Sequence, residues 1–284
     1  MNASALIRFI EERERIRVKK EAGEPWPWTA DPVLQAYRFC NVRRNDDRET
    51  RLIHANWLHP LSDHEDVWFA MVVARLVNWW PTLAELGPPL PWNPRSFVKL
   101  MDSRKERGEK VFTGAYMVRA DAVVGGTKAA YLAEYVLTPM WGARSAVRPR
   151  AGDTLEAFHR RLTQWRDMGN FMAAQVVADV KYAQGSPLRH ANDWWTWAAS
   201  GPGSLRGLNR LQGMAKDTPW KEQTWRKAFE ALRAEVIPYL IQYTRVGRIT
   251  GQDLQNCLCE YDKYMRVRLG EGRPRALYHQ PKEK

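Results

Sequence analysis

The chain has 284 residues, with 44 Lys and Arg against 32 Asp and Glu, a net charge of +12 and a pI of about 9.8. A hydrophobic fraction of 44% and a mean hydropathy of −0.55 exclude a disordered chain and predict a soluble globular protein with a sizeable core. No apolar run approaches the ~20 residues of a membrane helix, and the charged opening through Glu11-Glu12-Arg13 is not patterned as a secretory signal.

The basic balance makes a polyanion the leading class of partner, beside the plainer alternative of a basic soluble protein. Fourteen Trp fit either a packed core or stacking on unpaired bases. Cys40, Cys257 and Cys259 make no even disulfide framework and no zinc-ligand spacing. They predict structural thiols in a reducing, cytoplasmic compartment.

Taken in order, residues 4–22 predict a helix capped by Ser4, with Leu6, Ile7 and Ile10 on its apolar side and Gly23 as its stop. The Glu24–Pro32 stretch is a rigid connector, and Asp31 or Thr29 caps the next helix with Pro32 in its first turn. That helix is expected to run through Val33, Leu34 and Tyr37 to Asn41. The following run, Asn41 to Arg51, is either a solvated turn or a phosphate-meeting cluster built on Arg43, Arg44 and Arg48, whose guanidinium forks match phosphate oxygens. His54 and His59 do not share a helical face and suggest no metal site. Residues 65–80 read as a core helix terminated by Pro81, and residues 96–107 as a helix with Arg104, Lys105 and Arg107 at its C-terminal end.

Residues 111–118 suggest a short strand or hairpin segment. Val123-Val124-Gly125-Gly126-Thr127-Lys128 lacks the spacing of a phosphate-binding loop and is expected to be a turn opening a helix over 127–136. After a Pro/Gly/Arg-rich loop over 138–152, Asp153 or Thr154 caps a helix through Phe158 and Leu162. A further helix spans 171–182. Asp179 sits there among apolar neighbours, either as a structural hydrogen-bonding group or as a site residue.

A helix rich in Trp is expected to run into Gly201-Pro202-Gly203, with a second helix starting at Ser204. Such a hairpin suits DNA: Gly201 and Gly203 let backbone amides approach a phosphate, the N–H groups at Ser204 favour an anion, and Arg206 and Arg210 add charge. Two helical segments interrupted by Pro238 follow. Residues 252–266 then form a helix with two faces: Leu254, Leu258, Tyr261 and Met265 on one, Asp253, Asn256, Glu260 and Lys263 on the other. The second face is either solvated or a wall of proton-transfer and charge-stabilising groups.

Phe9-Ile10-Glu11-Glu12-Arg13, Pro27-Trp28-Thr29-Ala30-Asp31-Pro32, residues 37–44, Asp47-Arg48-Glu49-Thr50, residues 201–208 and Leu258-Cys259-Glu260-Tyr261-Asp262-Lys263-Tyr264 together resemble the phage thymine-hypermodification proteins. That group comprises the amino acid:DNA transferases, also called glutamyl- or putrescinyl-thymine pyrophosphorylases, and the related helical domain of 5-hydroxymethyluracil DNA kinases. The resemblance spans nearly the whole chain. It implies a mainly α, DNA-glycosylase-like fold with a helix-hairpin-helix element and, at most, one short β-hairpin. It fits a single two-lobed domain, with an N-terminal lobe to about residue 150, a C-terminal lobe over about 151–270 and a basic tail from 271.

The implied reaction joins an amine, such as an amino acid or polyamine, to pyrophosphorylated 5-hydroxymethyluracil in DNA and releases pyrophosphate. Glu260 is then the candidate base, with Asp253 second. Lys263, Arg43, Arg44 and Arg48 meet the anion. Asn41 and Asn256 position groups, and Asp47 and Tyr264 complete the binding set. The implied partners are double-stranded DNA with a modified thymine and a small amine, coupled to a 5-hydroxymethyluracil DNA kinase in the cytoplasm of a phage-infected or prophage-carrying bacterium, with no membrane. No cofactor is evident beyond a divalent cation accompanying pyrophosphate, and no metal ligands are assigned. The alternatives are a non-catalytic DNA-binding partner of such a kinase, or a glycosylase, for which Lys216 and Asp217 are the nearest catalytic candidates after the hairpin.

Overall fold

The computed structural model describes residues 1–113, 126–274 and 276–278. Along the chain the α-helices are α1 (Ala3–Glu21), α2 (Pro32–Ala36), α3 (Arg48–Ile53), α4 (Val67–Val77), α5 (Trp80–Leu86), α6 (Pro94–Glu106), α7 (Lys128–Tyr131), α8 (Thr138–Gly142) and α9 (Arg144–Val147). They continue as α10 (Leu155–Leu162), α11 (Asn170–Val180), α12 (Pro202–Leu211), α13 (Glu222–Tyr243) and α14 (Gly251–Arg268). Among the described residues there is no strand, only an isolated antiparallel bridge between Tyr37 and Leu277. The protein is thus mainly α, and none of its described helices is long and apolar enough to cross a membrane.

The chain forms two compact units, one of Met1–Asp47 with Ser200–Lys284, the other of Arg48–Ala199. The boundaries lie at 47/48 and 199/200, not near 150. The apolar side of α1 (Leu6, Phe9, Ile10) packs with helices from the far end of the chain, α12, α13 and α14. Such a long-range pairing leaves no local trace in sequence.

In the Arg48–Ala199 unit every residue of α4 is buried, and α4 packs on α11. Buried Asp179 accepts from Arg75 Nε at 2.6 Å and lies 2.9 Å from His54 Nε2, while Arg75 also reaches Thr50 and Asn78. The guanidinium holds the Asp179 carboxyl far below the usual carboxylate range in spite of burial. Asp179 is therefore a structural centre.

Several local expectations change. The cap of α1 is Asn2, whose side chain accepts from the Ala5 amide, not Ser4. The next helix is capped by Asp31 but stops at Ala36. There residues 36–38 exchange backbone hydrogen bonds with 276–278 (Arg38 N to Ala276 O and Tyr278 N to Ala36 O, both 3.0 Å), and this long-range pairing overrides local helix propensity. Asn78, in a left-handed conformation with φ 46°, ends α4, and Pro81 opens α5. The loop expected over 138–152 contains α8 and α9. Pro238 lies inside a single helix, α13, whose flanking Val236, Ile237 and Leu240 are buried. Residues 192–196 are turns, so the Trp-rich helix expected before Gly201 does not form. The strand expected over 111–118 falls largely outside the described residues, as do His279, Lys282 and Lys284 of the tail.

Candidate functional site

The site is built on α14. Thr250 caps this helix reciprocally with Asp253: the Asp253 amide donates to Thr250 Oγ1, and Asp253 Oδ2 accepts from the Thr250 amide at 3.0 Å. Asp253, Cys257 and Glu260 follow at helical spacing on one stripe. Opposite them lies segment 40–44, which leads into a 3-10 turn over Arg44–Asp46 and is held at alternate residues. Glu260 Oε2 accepts from the Cys40 amide at 3.1 Å, Cys257 Sγ lies 3.8 Å from the Val42 carbonyl, and Asp253 Oδ1 accepts from the Arg44 amide at 3.1 Å.

Other groups lock the same segment. Arg13 of α1 donates to the Cys40 carbonyl and, at 3.5 Å, to Cys257 Sγ. Arg43 donates to the Val246 carbonyl and pairs with Glu14 at 3.4 Å. The Asn41 amide donates to Asp47 Oδ1 and Asn41 Nδ2 to the Asp46 carbonyl, both at 2.8 Å. The polar face of α14 is therefore not solvated: Glu260 is 2% exposed and Asp253 5%.

At the outer end of the stripe Lys263 Nζ donates to Glu260 Oε1, and the lysine side chain remains 36% exposed. Burial opposes the ammonium, but Glu260 outweighs it and raises the Lys263 pKa, so the lysine stays charged. Burial, with Glu260 next, pushes the Cys259 thiol up to about 12, and burial pushes Cys257 up to about 11. Neither thiol is a nucleophile near neutral pH. Arg44 Nε and Asn256 Nδ2 are buried donors without a hydrogen-bond partner among the described residues.

The structure thus gathers Asn41, Arg43, Arg44 and Asp47 on the α14 stripe of Asp253 and Glu260, with Lys263 at its end. Arg48 belongs to the other unit, where its side chain is 69% exposed and pairs with Glu49 at 3.3 Å. Tyr264 turns the other way, donating its hydroxyl to Asp31 Oδ2 at 2.6 Å.

At α12 the expected DNA contacts have internal partners. Asp262, which the sequence did not single out, is 1% exposed and accepts from Arg206 Nε and Arg210 Nε, both at 2.9 Å. The available signal was the four-residue spacing of the two arginines, which presents both to one carboxylate. Ser204 is fully buried and exchanges hydrogen bonds with Gly201. A side chain at Gly203 would meet Cys259 Sγ at 2.8 Å, and one at Gly207 would overlap the Leu258 backbone. These two glycines let α12 and α14 approach closely. Lys216 and Asp217 pair with each other at 2.9 Å on the surface. Among the described residues no group of three or more His, Cys, Asp or Glu side chains is placed to hold a metal ion.

Comparison with known proteins adds the following. The family model described as 5-hmdU DNA kinase, helical domain, matches residues 2–273. A 5-hmdU DNA kinase of Bacillus phage SP10 is 27% identical over 220 residues, covering 69% of this chain and 34% of that protein. The chain thus matches about a third of the length of this curated relative. No solved structure matches.

Proposed function

Because the chain belongs to the family of the 5-hmdU DNA kinase helical domain, we propose that it acts on DNA carrying 5-hydroxymethyluracil, in the hypermodification of that base. The step assigned to it is amine transfer. The bond between the 5-methylene carbon and the pyrophosphate oxygen breaks, pyrophosphate leaves with the electron pair, an amine nitrogen bonds to the carbon, and the amine proton passes to a base.

One observation carries this assignment: a buried carboxylate, Glu260, holds a charged, partly exposed ammonium, Lys263, at the end of the anchored 40–47 segment. The ammonium suits the negative charge developing on the leaving pyrophosphate. As Lys263 turns to that anion, Glu260 Oε1 is freed to accept the amine proton. Arg44 Nε and Asn256 Nδ2 supply further donors of the kind an oxyanion uses.

A second reading has its own support. Asp253 and Glu260 both hold the backbone of segment 40–44, which is a fold-building use of carboxylates. On that basis the chain is a DNA-binding helical partner of a kinase activity.

The test is nucleoside mass spectrometry of DNA bearing the pyrophosphorylated base after incubation with the protein and a mixture of amines. Amine transfer predicts a new aminated nucleoside, lost in Glu260→Gln and reduced at least tenfold in Lys263→Met. Retained DNA binding with no new nucleoside would establish the partner role instead. Full activity in Glu260→Gln would remove Glu260 as the base.

A further inference from the structure

A cavity of about 430 Å³ lies between α1, α2 and α14, away from the 40–44 segment. Its size falls within the ~300–1,000 Å³ typical of small-ligand sites. The floor is aromatic: the Phe9 and Tyr264 rings are 5.0 Å apart and the Phe9 and Tyr261 rings 5.6 Å apart, all three largely buried. The rim is basic. Arg8 and Arg268 line it, both exposed, and neither has a carboxylate partner among the described residues. Most other arginines of this unit are tied: Arg13 to Cys40, Arg17 and Arg43 to Glu14, Arg206 and Arg210 to Asp262.

The cavity's own carboxylates are occupied. Asp31 accepts from the Val33 and Leu34 amides through Oδ1 and from Tyr264 through Oδ2, and Glu12 pairs with Arg15. Two guanidiniums without a carboxylate partner among the described residues, one of them, Arg268, donating to the Tyr264 hydroxyl at 3.3 Å, together with an aromatic floor match a ligand with a phosphate at one end and a flat apolar ring at the other.

We propose that this cavity binds one unstacked nucleotide, with its phosphate on Arg8 and Arg268 and its base against the floor formed by Phe9, Tyr261 and Tyr264. The proposal rests on the nucleic-acid reading above and adds a second place of contact, outside the Glu260–Lys263 site. The Tyr264 hydroxyl is already bonded to Asp31 and Arg268, so it is not free to read base edges. The site is therefore tolerant of base identity.

The test measures binding to the full chain of dTMP, dCMP, thymidine and inorganic phosphate by calorimetry, and of a single-stranded oligothymidylate by fluorescence anisotropy. The expected result is dTMP binding tighter than thymidine or phosphate, dCMP within a few-fold of dTMP, and at least a tenfold loss of dTMP affinity in Arg8→Ala/Arg268→Ala with an unchanged melting temperature. A parallel loss for the oligonucleotide identifies the natural source as a DNA strand; loss for dTMP alone identifies a free nucleotide. Wild-type affinity in the double variant, or dTMP no tighter than phosphate, overturns the proposal. If DNA binding and base modification persist in either case, only this cavity assignment fails. Failure of the wild-type chain to bind any DNA would instead remove the reading on which it rests.

Discussion

At Asp47 burial outweighs every favourable contact. Desolvation raises its carboxyl to about 6, while the hydrogen bond from the Asn41 amide and the charges of Arg44 and Arg13 pull the other way. The folded protein then binds more protons than the unfolded chain between about pH 4 and 6, so stability falls as pH rises through that window. A shift of this size corresponds to at most about 3 kcal/mol, and to less where water reaches the carboxylate. Asp47→Asn keeps an acceptor for the Asn41 amide and removes the titration. It is expected to melt above the wild type at pH 7.5, with the difference shrinking as pH falls and vanishing only below about pH 4; parallel pH profiles of the two proteins would contradict this. Asp179 has the opposite sign. Its pKa is depressed, so its contribution is present at neutral pH and lost only in strong acid. Asp179→Ala leaves Arg75, 1% exposed, without its main counter-charge. The expected cost is about 3–5 kcal/mol, read from the urea midpoint.

Among elements, the α12–α14 contact depends on two glycines one helical turn apart. At Gly207 an added Cβ would run into the backbone of Leu258, which cannot rotate away, whereas at Gly203 it would meet chiefly the side chain of Cys259. Gly207→Ala should therefore destabilise by about 1–3 kcal/mol or more, and Gly203→Ala by less, although alanine favours an isolated helix at both positions. Equal melting temperatures for the two variants would refute this ranking. The same contact explains what the sequence could reveal. The 252–266 helix and its two faces follow from periodicity, whereas its Thr250 cap was found only in the structure. What Gly-Pro-Gly does could not be read there: a glycine that admits a phosphate and one that admits a neighbouring helix are identical in sequence. The stripe of Asp253 and Glu260 was legible as a set of charges. Its partners, the amides of Arg44 and Cys40, are backbone groups some two hundred residues away and carry no side-chain signal.

At the scale of the whole molecule, the two units differ in how the chain builds them. The Arg48–Ala199 unit is continuous. It closes its own core around α4, and within it the buried Arg75 and Asp179 pair, with His54 hydrogen-bonded to the same carboxylate. The other unit is assembled from both ends of the chain: α1 supplies Leu6, Phe9, Ile10 and Arg13 to α12 and α14, and residues 36–38 pair with 276–278. Neither of its halves can bury its apolar face alone, because each lacks the other's side chains. Consequently a fragment spanning 48–199 should fold by itself, with helical circular dichroism and a cooperative thermal transition. A fragment spanning 200–284 should remain largely unfolded until a peptide covering residues 1–47 is added. Addition should raise helicity saturably, and Arg13→Ala in the peptide should weaken the effect, since Arg13 bonds both Cys40 and Cys257. A cooperatively folded 200–284 fragment would show that the N-terminal segment is only an accessory to α14 and would separate the proposed site from the 40–44 segment.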